Sequence, residues 1–121
     1  MSRLSGGGWI AAGARLLTGH NSGGAQTLVA FTARGGRICR AGFNSYTKTH
    51  PRQNHYARLA GQPLRSYLHA EVAALLRSPA DVDTLYICRF DKKGNPVSAA
   101  PCPVCRLAIA AFNRNLRVIH T

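Results

Sequence analysis

The sequence predicts an α/β layered fold, a short mixed sheet with helices packed on it. Three observations carry that expectation. Strand-forming runs occur at residues 27–32, 37–43, 84–90 and 116–120. Segments with helical apolar spacing alternate with the last two of them. The 121 residues contain no linker, repeat or low-complexity tract, so residues 1–121 read as one domain able to close a single core. Strands that alternate with helices build layers.

Taken in order, the elements begin with a helix over about residues 9–17, bracketed by Gly6-Gly7-Gly8 and Ser22-Gly23-Gly24. Its apolar run Trp9-Ile10-Ala11-Ala12 is interrupted by Gly13 and Arg15, too broken for a signal-peptide core. Of two readings, an ordinary first helix is preferred to a transit peptide. Residues 27–32 and 37–43 flank Gly35-Gly36, the pattern of a β-hairpin. Residues 44–63 then turn polar and are expected to form a long loop. That loop has two equal readings. Its aromatics, amides and bases suit contact with a nucleic-acid base and its phosphate, through Lys48, His50 and Arg52. Alternatively it is a solvated connection anchored by Tyr46 and Tyr56.

Leu68, Val72, Leu75 and Leu76 recur at helical spacing, which places residues 69–77 on a helix ending near Ser78-Pro79. Residues 84–90 are a strand, and Asp91 to Asn95 a turn leading to a shorter extended piece. A second helix starts around Cys102, with Pro103 suited to its first turn. Cys105, Ile109 and Phe112 share one of its faces, with Leu107 and Ala111 toward another. Residues 116–120 make the last strand.

Net charge is +12, from sixteen basic residues against Glu71, Asp81, Asp83 and Asp91. Such a field attracts polyanions. Thirteen of the bases are arginine, which genome composition can explain, but that bias does not explain the scarcity of acids. No run approaches the ~18 apolar residues of a membrane span, so no membrane partner is expected. With four cysteines and no secretion signal, the C-x-x-C pair points to metal in a reducing, cytoplasmic compartment. Cys39 and Cys88 sit in strand-like runs and read as small buried hydrophobes.

The chemistry concentrates in two short motifs. His69-Ala70-Glu71 carries the only glutamate, and Pro101-Cys102-Pro103-Val104-Cys105 follows about thirty residues later. One imidazole and two thiolates supply three ligands, the number a catalytic zinc keeps so that its fourth position stays open. Both motifs fall at expected helix starts, where the dipole and free N–H groups favour thiolates. Positions 102 and 105 lie one turn apart on one face. Glu71 is then free to carry protons. The alternatives are a closed zinc site completed by Cys39 or Cys88, or a core histidine beside an unrelated thiol pair.

His69-Ala70-Glu71-Val72-Ala73-Ala74-Leu75 and the Pro101 to Cys105 run resemble the cytidine deaminase superfamily, with its deoxycytidylate, tRNA-adenosine, riboflavin-pathway and DNA-editing members. The resemblance runs from about Thr27 to the C-terminus. Thr47-Lys48-Thr49-His50-Pro51 and the run from Leu116 to Thr121 are similar to small phage-type and bacterial deaminases. The resemblance implies a three-layer α/β/α fold ending at its fourth core strand, where many relatives continue. It implies Zn²⁺ held by His69, Cys102 and Cys105, with Glu71 as proton shuttle for hydrolytic deamination. Asn44 and the backbone of Ala70 become substrate contacts. Small deaminases of this kind commonly pair, so a homo-oligomer fits as well. Charge favours a cytosine deaminase acting on single-stranded nucleic acid, with Lys48, Arg52, Arg58 and Arg65 as phosphate contacts. The alternatives are a free cytosine nucleotide or nucleoside deaminase, and a zinc-stabilised nucleic-acid-binding protein without catalysis.

Overall fold

The structure is a computed structural model that describes residues 8–20, 27–45, 48–63 and 67–121. Tyr46, Thr47, Arg65 and the two glycine runs around the first helix lie outside them, except for Gly8. Helix α1 (Gly8–His20) leads to a hairpin of β1 (Leu28–Arg34) and β2 (Arg37–Phe43). Gly35 and Gly36 make its turn at φ of 58° and 81°, backbone that favours glycine. After α2 (Pro51–Leu59) and α3 (Ala70–Arg77) come β3 (Thr84–Phe90), β4 (Pro96–Val97), α4 (Pro103–Phe112) and β5 (Arg117–His120).

The sheet is mixed. β1 lies antiparallel between β2 and β3, while the far edge of β3 pairs antiparallel with β4 and parallel with β5. The parallel pair needs a crossover, and α4 lies on that connection. Side-chain alternation along β1 and β3 divides the core in two. Val29, Phe31, Ala33, Tyr86, Cys88 and Phe90 face α1, where Ala12 and Leu17 close over them. Phe31 and Trp9 both stack on Tyr86, with ring centres 5.1 and 5.5 Å away. Ala30, Leu85 and Ile87 face the other way, against Ala70, Ala74 and Leu75 of α3 and Ile109 of α4. Each fully buried side chain of this size contributes roughly 1.5–3 kcal/mol. Helices therefore cover both faces of the sheet.

Two glycines set the layer spacing. A Cβ on Gly13 would lie 2.6 Å from the Cys88 sulfur, so α1 rests directly on β3. A Cβ on Gly42 would lie 2.5 Å from the Ala70 carbonyl oxygen and closer still to the Ala74 nitrogen. Backbone meets backbone there, and α3 is seated on the hairpin with no room for a methyl group.

Several sequence expectations change. Residues 44–63 are not a continuous loop, because α2 occupies their middle. His50 caps it, its Nδ1 accepting the Arg52 N–H at 3.1 Å, and Pro51 follows in the first turn. Gly61, at φ 70°, ends it: the Gln62 and Gly61 N–H groups reach back to the carbonyls of Ala57 and Arg58. The sheet has five strands rather than four, the short extended piece being β4. Leu76 is 37 % exposed, since α3 uses its alanines for the close contact with the sheet.

Candidate metal centre

The N-termini of α3 and α4 converge at the end of the sheet where β3 finishes. His69 is the N-cap residue of α3 and Cys102 the N-cap residue of α4, with Cys105 one turn inside α4. The two helices pack against each other, and Val72, Cys105 and Ala108 form a small apolar cluster beside the junction. His69 Nδ1 lies 3.1 Å from Cys105 Sγ and 3.6 Å from Cys102 Sγ. The three ligand atoms fall within 4.8 Å of one another, and among the described residues no other group of His, Cys, Asp or Glu comes together in this way. This group can hold a metal ion.

The donor set fits zinc. Bond lengths of about 2.3 Å to sulfur and 2.0–2.1 Å to nitrogen place tetrahedral ligand atoms roughly 3.5–3.8 Å apart, close to the spacing seen here. Cys105 is fully buried, and its hydrogen bond to Cys102, together with that burial, pushes its thiol up. That hydrogen bond, opposed by burial and helped by His69, holds the Cys102 thiol down at about 3. A thiolate is therefore in place for a cation. Neither of the other two cysteines reaches the site as a fourth ligand. Cys88 lies on the opposite face of the sheet beneath α1, where burial alone pushes its thiol up to about 12. Cys39 lines a separate cleft with Arg34, Arg37, Arg40 and Arg77.

Glu71 is 5 % exposed, and its Oε1 has no hydrogen-bond partner among the described residues. Burial raises its carboxyl above the ordinary range, offset in part by its own backbone N–H, by Cys105 and by His69. It opens on a pocket of about 270 Å³ that it shares with His69, Cys102 and Asn44. Leu28, Arg89 and residues 98–100 complete its lining.

The other expected contacts are placed as follows. Asn44 lines the pocket, and its Oδ1 accepts the Ala70 N–H at 2.8 Å, satisfying the first turn of α3. Ala70 itself is fully buried. Lys48 and His50 are not brought to the pocket. The Lys48 backbone bridges Ser45 and Leu68, and the His50 ring is engaged in capping α2. Arg52 opens instead on a groove between α2, α3 and α4, with Tyr56, Leu76 and Phe112. The intervening α2 is the cause.

Two residues passed over in the sequence belong to the site. Gln53 of α2 is fully buried, and its Oε1 accepts the His69 N–H at 3.2 Å. It fixes the backbone of a ligand residue from outside the motif. The Pro51…Gly61 bracket was the available signal for its helix. Arg89 was legible as the one charged residue of β3, on the side of the strand that carries Leu85 and Ile87. No helix among the described residues is long and apolar enough to cross a membrane. No family model, no curated protein and no solved structure matches the chain.

Proposed function

We propose that the chain is a zinc-dependent hydrolytic deaminase of the cytidine deaminase type, converting cytosine to uracil on single-stranded nucleic acid. One observation carries the reading: the chain's sole glutamate is buried, with an unpartnered oxygen, in the same pocket as His69 and Cys102. A structural metal site gives no reason for such a carboxyl. The helix-covered mixed sheet is compatible with the fold that this activity implies.

His69, Cys102 and Cys105 would hold the zinc, leaving one position for a non-protein ligand. Zinc, when bound, lowers the pKa of its water toward neutrality. Glu71 would take one proton from the attacking water and hand it to the ring nitrogen as the water oxygen bonds to the amine-bearing carbon. It would then carry the second proton of that oxygen to the amine, so that the C–N bond breaks, ammonia leaves and the oxygen becomes the new carbonyl. The pocket is small by the ~300–1,000 Å³ standard of ligand sites, so a single base taken out of its stack suits it. The same small size favours the second reading, a free nucleotide such as dCMP.

Ammonia-loss products are to be measured by mass spectrometry after incubation with dCMP, cytidine, adenosine, and single- and double-stranded DNA and RNA. We expect turnover of cytosine, highest on single strands. Glu71→Gln should retain one zinc per chain and a native circular dichroism spectrum while losing about 10²–10⁴-fold in rate. A fully active Glu71→Gln variant, or a chain that binds no zinc, would overturn the reading. A zinc-loaded chain that binds oligonucleotides and yields no product would leave the non-catalytic alternative.

A further inference from the structure

Strand β3 is buried on both faces at every position but one. Tyr86, Cys88 and Phe90 enter the α1 side of the core, and Leu85 and Ile87 the α3 and α4 side. The next position on that second side is Arg89, where a third apolar residue would extend the core row. Its side chain lines the pocket together with His69, Glu71 and Cys102. Strand pairing fixes it there: Leu28 of β1 lies opposite on one side and Val97 of β4 on the other. The Arg89 N–H donates to the Thr121 hydroxyl at 3.0 Å, and that hydroxyl donates to the Val97 carbonyl, so the rim is tied across three segments. Arg89 is exposed, and the acid sharing its pocket, Glu71, is 95 % covered.

Two structural explanations for the arginine fall short. No salt bridge to it forms among the described residues, where Arg34 with Asp81 is the ion pair present. Nor does it complement a helix C-terminus, because the helix ends nearest the pocket are the N-termini of α3 and α4. A guanidinium lining a base-sized pocket presents a planar fork that can donate to two oxygens of one phosphate. We infer that Arg89 is a substrate-binding residue whose guanidinium contacts a phosphate attached to the sugar of the bound nucleotide. This rests on the reading of the pocket as a base-binding site. The phosphate belongs either to a free nucleotide or to a polynucleotide backbone.

Isothermal titration of the zinc-loaded full chain distinguishes these. Deoxycytidine, dCMP and a short single-stranded DNA with one dC are the probes, against wild type, Arg89→Ala and Arg89→Lys, with product formation followed in parallel. We expect wild type to prefer dCMP over deoxycytidine by about tenfold or more, the range of a charge-assisted hydrogen bond. Arg89→Ala should abolish the preference, and Arg89→Lys should keep part of it. Weakening of the oligonucleotide as well identifies a backbone phosphate; weakening of dCMP alone identifies the free nucleotide. No preference in wild type, or a preference that survives Arg89→Ala, overturns the inference. Product formed by a chain whose preference ignores Arg89 leaves the deaminase reading standing without this contact. An Arg89-dependent preference with no product from any probe leaves the contact standing without the deaminase reading.

Discussion

Gln53 shows how a residue outside a donor set can hold one of its members in place. A fully buried amide is tolerated only when its hydrogen bonds are met, and here it accepts the backbone N–H of His69. Asn44 does the same one residue later, at Ala70. Gln53→Leu preserves side-chain volume while leaving the His69 N–H without this acceptor. It should cost about 1–3 kcal/mol of stability and weaken metal binding by roughly 10–100-fold, the usual effect of losing a group that orients a ligand. Urea melts and chelator competition measure the two quantities separately. Unchanged chelator competition would show that the His69 backbone is held by other means. The three aspartates have quieter roles. Asp83 accepts the Gly35 N–H and Asp91 the N–H groups of Lys93 and Asn95, and these bonds lower both carboxyls.

The seating of α3 on the hairpin decides where His69 and Glu71 stand. Gly42→Ala pushes a methyl group into the α3 backbone, not into a flexible side chain, so the helix must move. We expect a loss of ~1–3 kcal/mol, the range for overpacking, together with weaker metal binding, read by thermal melts with and without zinc. An equal loss in both forms would mean that the helix moves without disturbing the ligands. The glycine was visible in the sequence, but its purpose was not, because the contact joins segments thirty residues apart. Residues 37–43 and 84–90 were legible as strands to the residue, since their β-formers leave no competing pattern. The convergence of His69, Cys102 and Cys105 was legible too, because ligand spacing survives any fold that joins the two helix starts. Helix α2 was not. Its buried stripe is an amide and a methyl, Gln53 and Ala57, and apolar periodicity cannot register either.

Charge acts over the entire surface. Glu71 is buried, Asp81 pairs with Arg34, and the other two acids hold turns, so the net +12 is weakly balanced from within. Arg52 and Arg58 stand exposed on α2, outside the pocket lining. Affinity for single-stranded oligonucleotides should therefore fall steeply with salt, with a log–log slope near −0.7 per phosphate neutralised. Arg52→Ala and Arg58→Ala should each make that slope shallower by about 0.7. Slopes identical to wild type would remove α2 from the path of the strand. Binding of dCMP should respond far less to salt, one phosphate meeting one or two cations.

The hydrogen bond from His69 to Gln53 also joins two equilibria. Helix α2 supplies no ligand, yet an opening of α2 that withdraws Gln53 loosens the segment bearing His69. Whatever stabilises the closed segment by binding must, by mass action, make that opening rarer. Amide hydrogens of Gln53 to Leu59 should thus exchange more slowly with solvent when zinc is present, and exchange at α1, across the sheet, should change less. Deuterium uptake resolved by segment would record metal occupancy from a helix that never meets the ion.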